Sequence, residues 1–572
     1  MQVFAPRSSD TEPSSQSVPF RSSTLDNGLF FALIALFLLP IWLFEYLPTQ
    51  DGPIHVHTAD VLHSFLTDGP SIFQDYYVPN LQLAPNWTTQ VILTGLMFIA
   101  SPAIAEKLLL SLYVILLPLA VRYALNGVRP EVPAPSFLAF LAFPLCYNLT
   151  FNMGFYNFAY SLVVFLFTLG YWFRSRNRPS QIGLLMVLSL GLYFTHLFSF
   201  IVFCIVVGVL ILWQGIRLFL SSRRGHPITL KRFLIKTTLP TGMALLPTCL
   251  ICLQFLSQNS TGSKGPRWVA SVVDNLRLGS LITLSSLVSY SWFELVCAIA
   301  IGLVLIGLTV YSLWRRGIPE QGEKIMAGNG LLMVTLVLLG VYLFAPRGLS
   351  GSVTIKDRLL LYPILTLMLW LATGRYPSWI RRGMTGLLVS ISIALLVIQT
   401  TTYGYLNDYW REYTSTAPFI EEHSTLLAIN LPSSSLASPQ APDLWRPPKF
   451  VRPWQLNPFI NVSGHMAVSR KAVLLNNYQA NEDYFPVNFR PELNPFEIMA
   501  ADDWRLLGKK LHVDILGYAV STGRPIDYVA IWQTADRPLQ EQEAIFQQLS
   551  TAYELIYTSP QRGYARLYRY KG

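Results

Sequence analysis

The chain has 572 residues, 52% of them hydrophobic and 13% charged, whereas a soluble globular protein carries about 25% charged residues. With a mean hydropathy of +0.40, that balance excludes an ordinary soluble domain and predicts a polytopic membrane protein. The formal net charge of +10 does not point to nucleic acid. The positive residues sit in short clusters between apolar runs, at Arg174, Arg176 and Arg178, at Arg223, Arg224, Lys231 and Arg232, at Arg315 and Arg316, and at Arg381 and Arg382, where they fix topology.

In chain order, residues 1 to 28 are Ser-rich and contain Pro without an apolar run, which predicts a disordered cytoplasmic tail. A membrane span needs about 20 apolar residues. Candidates lie near 29 to 47, 103 to 125, 155 to 173, 181 to 198, 199 to 221, 235 to 256, 291 to 314, 328 to 345, 358 to 374 and 384 to 403, with shorter runs at 88 to 101 and 136 to 150. If the basic clusters at 174 to 180 and 217 to 236 are both cytoplasmic, an odd number of crossings separates Trp87 from Arg174. Assigning 88 to 101 to the interface gives about eleven spans, an N-terminus inside and a C-terminus outside. All five cysteines, Cys146, Cys204, Cys249, Cys252 and Cys297, fall within apolar runs and build neither a disulfide framework nor a zinc site.

The loop 48 to 87 holds Asp51, Asp60, Asp68 and Asp75 with His55, His57 and His63, and no Lys or Arg. A loop without cations crosses the bilayer, so this one faces outward. Its segment 54 to 66 has the apolar spacing of an amphipathic helix lying on the membrane. On that helix His55 and His63 share one face with Asp60 near His57 and His63, an arrangement that admits a divalent metal. Asp51 suits two compatible roles: an N-cap with Pro53 in the first turn, or a carboxylate just past the first span.

Further polar residues collect at the same level: Asn148, Asn152, Tyr156 and Asn157 in one turn, Thr195 and His196 at the end of another span. Polar groups in apolar runs are satisfied internally or used in function. Lys264, Arg267, Arg277, Arg347, Lys356 and Arg358 run against the positive-inside bias, which predicts a retained anion. Arg358 is the sharpest case, because a guanidinium at a span mouth can hold a phosphate through paired N–H donors. Residues 405 to 572 have no further span. Strand-like runs at Tyr528 to Trp532 and Ala565 to Tyr570, and helical stretches near 500 to 511 and 539 to 555, predict a small extracytoplasmic α+β domain.

The acidic residue in the first external loop (Asp51 in Thr49-Gln50-Asp51-Gly52-Pro53-Ile54-His55), the loop helices, the span count and the C-terminal domain together resemble the GT-C superfamily of integral-membrane glycosyltransferases. So do the runs SPAIAEKLLLSLYVILLPL, NMGFYNFAYSLVVFLF and YFTHLFSF. The resemblance covers most of residues 29 to 403. It implies an all-α transmembrane domain over 29 to 404 and sugar transfer from a polyprenyl-phosphate donor to a glycan, lipid or protein acceptor. It also implies inversion, no required cofactor, and a bacterial inner membrane with the C-terminal domain periplasmic or extracellular. Asp51 would be the general base. Several members carry paired acids or an Asp-x-Asp arrangement in this loop, which Asp51-Gly52-Pro53 lacks, and Asp75 is the candidate second carboxylate by loop position. His55, Asn152, Tyr156, Asn157, His196, Arg267, Arg347, Lys356 and Arg358 would bind substrate. Two other readings stay open: a transporter or flippase of a lipid-linked glycan, which would show internal repeats and broken helices at the midplane, and a noncatalytic scaffold.

Overall fold

The computed structural model describes residues 24–222 apart from 177 and 179, then 228–258, 277–316, 322–346, 354–431, 456–499, 513–533 and 543–572. Seven helices among them are long and apolar enough to cross a membrane: Thr24–Leu43, Pro102–Val128, Tyr156–Ser175, Leu197–Leu220, Leu230–Gln258, Trp292–Arg315 and Ser378–Phe419. The chain is an integral membrane protein. Of four shorter apolar helices, Ser136–Asn152, Gln181–Thr195 and Asn329–Phe344 fall at other expected spans, and Thr88–Met97 falls at the run assigned to the interface. The ten residues of Thr88–Met97 make a helix about 15 Å long, half of a bilayer core of about 30 Å.

Tyr156–Ser175 is the centre of the bundle, with 83% of its apolar window buried against 33% for Leu197–Leu220. It lies against Pro102–Val128, where small residues let the backbones meet: a Cβ on Gly170 would come within 3.1 Å of the Ala124 Cα. Arg174 locks the pair by donating to the Tyr123 carbonyl at 2.7 Å, its guanidinium 3.8 Å from the Tyr123 ring centroid. Leu, Ile and Val on the more exposed helices point outward, among them Leu246, Leu250, Leu253, Leu303, Ile306 and Val310, as a lipid-facing surface requires.

The C-terminal region forms a five-stranded sheet ordered β3-β2-β5-β7-β6, built from β2 (Thr425–Leu431), β3 (Val473–Leu474), β5 (Tyr528–Gln533), β6 (Tyr553–Thr558) and β7 (Ala565–Tyr570). β2 pairs in parallel with both β3 and β5, while β7 is antiparallel to β5 and β6. The parallel centre is covered on both faces, as such pairings usually are. Leu427, Ile429 and Leu431 point to one cluster with Val61, Tyr76 and Tyr77, whereas Leu426 and Ala428 point to another with Trp410, Tyr413 and Met466.

Three expectations need correction. The helix over 54 to 66 exists, as Gly52–Thr67, but does not lie on a membrane surface: Gly52 through Val61 are all buried. Its partners are the helix Thr88–Met97 and the helix Ser463–Arg470 of the C-terminal region, and Val61, Leu62 and Phe65 of its apolar stripe join the cluster that includes sheet residues. The border expected at 404/405 falls inside one continuous helix, Ser378–Thr414, whose last turns carry Trp410 and Tyr413 into the sheet packing. The first helix starts at Thr24 rather than Leu29, and the rest of the expected N-terminal tail lies outside the described residues. The helical stretch expected near 539 to 555 is Glu543–Ala552, while 500 to 511 also falls outside them.

Loop 48 to 87 is woven into the C-terminal region. Its short strand β1 (Tyr77–Pro79) pairs antiparallel with β4 (Val487–Phe489), and the Tyr77 hydroxyl donates to the Leu474 carbonyl at 3.1 Å.

Candidate active site

Asp51 occupies the N-cap position of Gly52–Thr67, yet its side chain makes no capping hydrogen bond. It is 6% exposed and turns toward the C-terminal region. Tyr478 donates its hydroxyl to Oδ2 at 2.8 Å, Asn461 its amide to Oδ1 at 2.8 Å, and Gln50 its amide to Oδ1 at 3.2 Å. A carboxylate is an acceptor only, and these donors come from three separate stretches of chain.

The backbone around Asp51 is clasped by the turn 152–154. The Gln50 and Asp51 amides donate to the Asn152 and Met153 carbonyls at 3.0 and 3.2 Å. Gly154 has φ +74, and a Cβ there would lie 2.5 Å from the amide nitrogens of both Asp51 and Gly52. Gly52 is equally constrained, since a Cβ would fall 2.2 Å from the hydroxyl oxygens of Thr49 and Tyr156. These two glycines are what let the Asp-Gly-Pro turn seat at the bundle end.

Arg358 closes the site from the other end of the sequence. Its guanidinium lies 4.4 Å from the Phe155 ring centroid and 5.7 Å from that of Phe158. Its charge lies within electrostatic reach of Tyr484, Tyr478, Asp51 and Tyr362, and Tyr478 is also the residue whose hydroxyl donates to Asp51. Arg358 Nε is buried without a hydrogen-bond partner, and among the described residues Arg358 forms no ion pair within 4 Å. His196, 8% exposed with a buried Nδ1 that lacks a hydrogen-bond partner, packs edge-on to Phe158 at 5.2 Å and feels the Arg358 charge.

The neighbours of Arg358 are engaged elsewhere. Lys356, 1% exposed, donates to the Leu343 carbonyl at 3.0 Å and lies over the Tyr342 ring. Asp357 takes a two-pronged grip from Arg277, with N–O distances of 3.0 and 3.0 Å. Successive residues on a helix point about 100° apart, so one of the three faces the site.

His55 stacks on Tyr156 with centroids 5.2 Å apart and accepts at Nδ1 from Gln90 at 2.7 Å. Burial pushes its pKa down to about 3, which keeps the ring neutral. Asn152 holds structure: its amide donates to Ser289 Oγ at 2.7 Å and its oxygen accepts from the Tyr403 hydroxyl. Asn157 ties the Thr89 amide and Gln90 to its own helix at 2.9 Å each. Asp75 stands outside this network, exposed, with Arg524 at 3.6 Å. Arg267 and Arg347, together with Lys264, lie outside the described residues.

The loop histidines are used in docking. His57 bonds the Ala472 carbonyl and the Asn477 amide at 3.2 Å each, and Asp60 pairs with Lys471 at 2.5 Å. Among the described residues no group of three or more His, Cys, Asp or Glu side chains gathers as a metal site would require.

Sequence reasoning missed Glu106, Asn461 and Tyr478. Glu106 gave a readable signal, an acid four residues into an apolar span. Asn461 and Tyr478 gave none, because only the folding of the C-terminal region over the loop brings them to Asp51.

No family model and no curated protein matches the sequence. In structure the chain is similar to the arabinofuranosyltransferase AftD from Mycobacteria, with a TM-score of 0.43 and 12% identity over 96% of this chain and 40% of that one. The chain spans well under half the length of that protein, and at this level the likeness says nothing of activity.

Proposed function

We propose that this protein is a GT-C-type integral-membrane glycosyltransferase that moves a sugar from a polyprenyl-phosphate donor to an acceptor on the outer face of the membrane. The observation that supports the reading is that Arg358, far from Asp51 in sequence, lies within electrostatic reach of Asp51 and of Tyr478, whose hydroxyl donates to Asp51. A half-buried guanidinium with a buried, unpartnered Nε and no ion pair among the described residues suits an anion that arrives from outside the chain. A donor phosphate would take N–H donors from Arg358 and an imidazole N–H from His196, and the developing charge on the leaving phosphate would be stabilised there.

Asp51 would take the proton of the acceptor hydroxyl as that oxygen attacks the anomeric carbon. The sugar–phosphate bond breaks, its electron pair leaves with the phosphate, and a single displacement inverts the anomeric centre. Neutral His55 beside Tyr156 adds no positive charge that would compete with Arg358 for the phosphate.

The test is transfer by purified protein in liposomes from a polyprenyl-phosphate sugar. Turnover that Asp51→Asn abolishes, with expression and donor binding preserved, supports the proposal. Retained turnover in that variant removes Asp51 from the mechanism, and substrate-linked ion flux without transfer would make the protein a transporter.

A further inference from the structure

Resting on the glycosyltransferase reading, we infer that Glu106 is a positioning residue: through the Tyr156 hydroxyl it fixes the turn that carries Asp51, and His465 closes the arrangement from the C-terminal region. Glu106 is 5% exposed in the first turns of Pro102–Val128. An ionisable group at such a place is either satisfied or used. The Tyr156 hydroxyl donates to Glu106 Oε1 at 2.7 Å and shares a second hydrogen bond of 2.7 Å with Thr49 Oγ1. A hydroxyl has one proton, so with Tyr156 donating to Glu106, Thr49 must donate to Tyr156. The chain of donors runs one way, from Thr49 to Tyr156 to Glu106, and the carboxylate sets it.

This chain bears directly on Asp51. Both hydroxyl oxygens press against Gly52, 2.2 Å from where its Cβ would be. The 152–154 turn holds the Gln50 and Asp51 amides from its own side. Asp51 is therefore gripped by two contacts, and removing the acceptor at position 106 frees one of them.

The second oxygen of Glu106 faces the C-terminal region. Glu106 Oε2 lies 3.7 Å from His465 Nε2, beyond a hydrogen bond, and that nitrogen is buried without a hydrogen-bond partner. The His465 ring packs between Tyr46 and Trp410, with centroids at 5.0 and 5.6 Å. Asn461, which donates to Asp51, stands four positions earlier in the same stretch. One segment thus reaches both carboxylates. Glu294, another buried acid of the bundle, does not have this character: its oxygens are taken by the Ser289 and Tyr290 amides and by Gln399.

A positioning role needs an acceptor oxygen at 106 and not a charge. Amide exchange over 47–54, where Gln50 and Asp51 donate to the neighbouring turn, reads the positioning without reference to turnover. We expect Glu106→Leu and Tyr156→Phe each to raise that exchange about tenfold. Turnover should fall about 10–100-fold with donor KM within about threefold, and the double variant should be no worse than either single one. Glu106→Gln should restore most of both. Unchanged exchange in both the Leu and Phe variants overturns the inference. So does a Gln variant as inactive as Leu with normal exchange, which would make Glu106 an acid–base group. Absence of transfer in the unmodified protein would defeat the glycosyltransferase reading, while the exchange arm would still decide this one.

Discussion

Asp51 and Glu412 are both buried carboxylates, 6% and 1% exposed, and both join the helical bundle to the C-terminal region. They are held differently. Glu412 accepts from Ser559 at 2.8 Å, from the Arg562 and Tyr564 amides at 3.1 and 3.3 Å, and from the Arg562 guanidinium at 2.9 Å. Its cation is in contact. Asp51 takes neutral donors from Gln50, Asn461 and Tyr478, with the Arg358 charge within electrostatic reach. A closed pair is a clasp, and breaking it leaves a buried charge without compensation.

The largest effect separating the two is on turnover. Asp51→Asn should lower transfer about 10²–10⁴-fold, the range for loss of a general base, with the thermal midpoint unchanged. Glu412→Gln should leave the rate within about threefold, as expected away from the chemistry. Equal losses in both variants would erase the distinction. Next in size is Arg358→Gln, which should weaken donor lipid binding about 10–100-fold through loss of charge-assisted hydrogen bonds of roughly 1.5–3 kcal/mol. Binding of the donor to immobilised protein measures it, and unchanged affinity would place the phosphate elsewhere.

Glu412→Ala should instead destabilise the fold by about 1–3 kcal/mol, discounted because Arg562 is 37% exposed at its side chain and partly solvated. Thermal unfolding in detergent reads this directly. A smaller, graded effect is expected from acid. Burial pushes His55 and His57 down to about 3 and about 4 from 6.5, so the unfolded chain binds more protons between those values. The stability they contribute is complete above about pH 6.5 and is lost as the pH falls toward 4. Asp60, raised from 3.8 by burial against the pull of Lys471, works the opposite way just above its ordinary range. The midpoint should therefore drop between pH 7 and pH 5, and less so in His57→Asn. The smallest effect belongs to Asp75→Asn, which should change rate and stability negligibly, within about 0.5 kcal/mol, because Asp75 is exposed with its Arg524 contact.

Much of the helical framework was legible in the sequence, because apolar length is a direct consequence of the bilayer. Asp51 and Arg358 stood out in the sequence as candidates for a related reason: each is a charge in a place where charge is costly. The reading failed where direction mattered. Lys356 and Arg358 are two positions apart on a short helix, and composition carries no information on which faces the bundle interior. The loop helix Gly52–Thr67 was read as lipid-facing since its apolar stripe looks the same whether membrane or protein covers it. Asn461, Tyr478 and His465 were invisible because they reach the site only through the docking of Ser463–Arg470 and the turn after β3 on the loop.

The most direct test of the central claim is a cryo-EM structure of the protein with a polyprenyl phosphate bound. The account predicts phosphate density within hydrogen-bond distance of the Arg358 guanidinium, with His196 on its flank and Asp51 facing the same space. Phosphate density against Lys356 or Arg277, or on a surface walled off from Asp51, would contradict it.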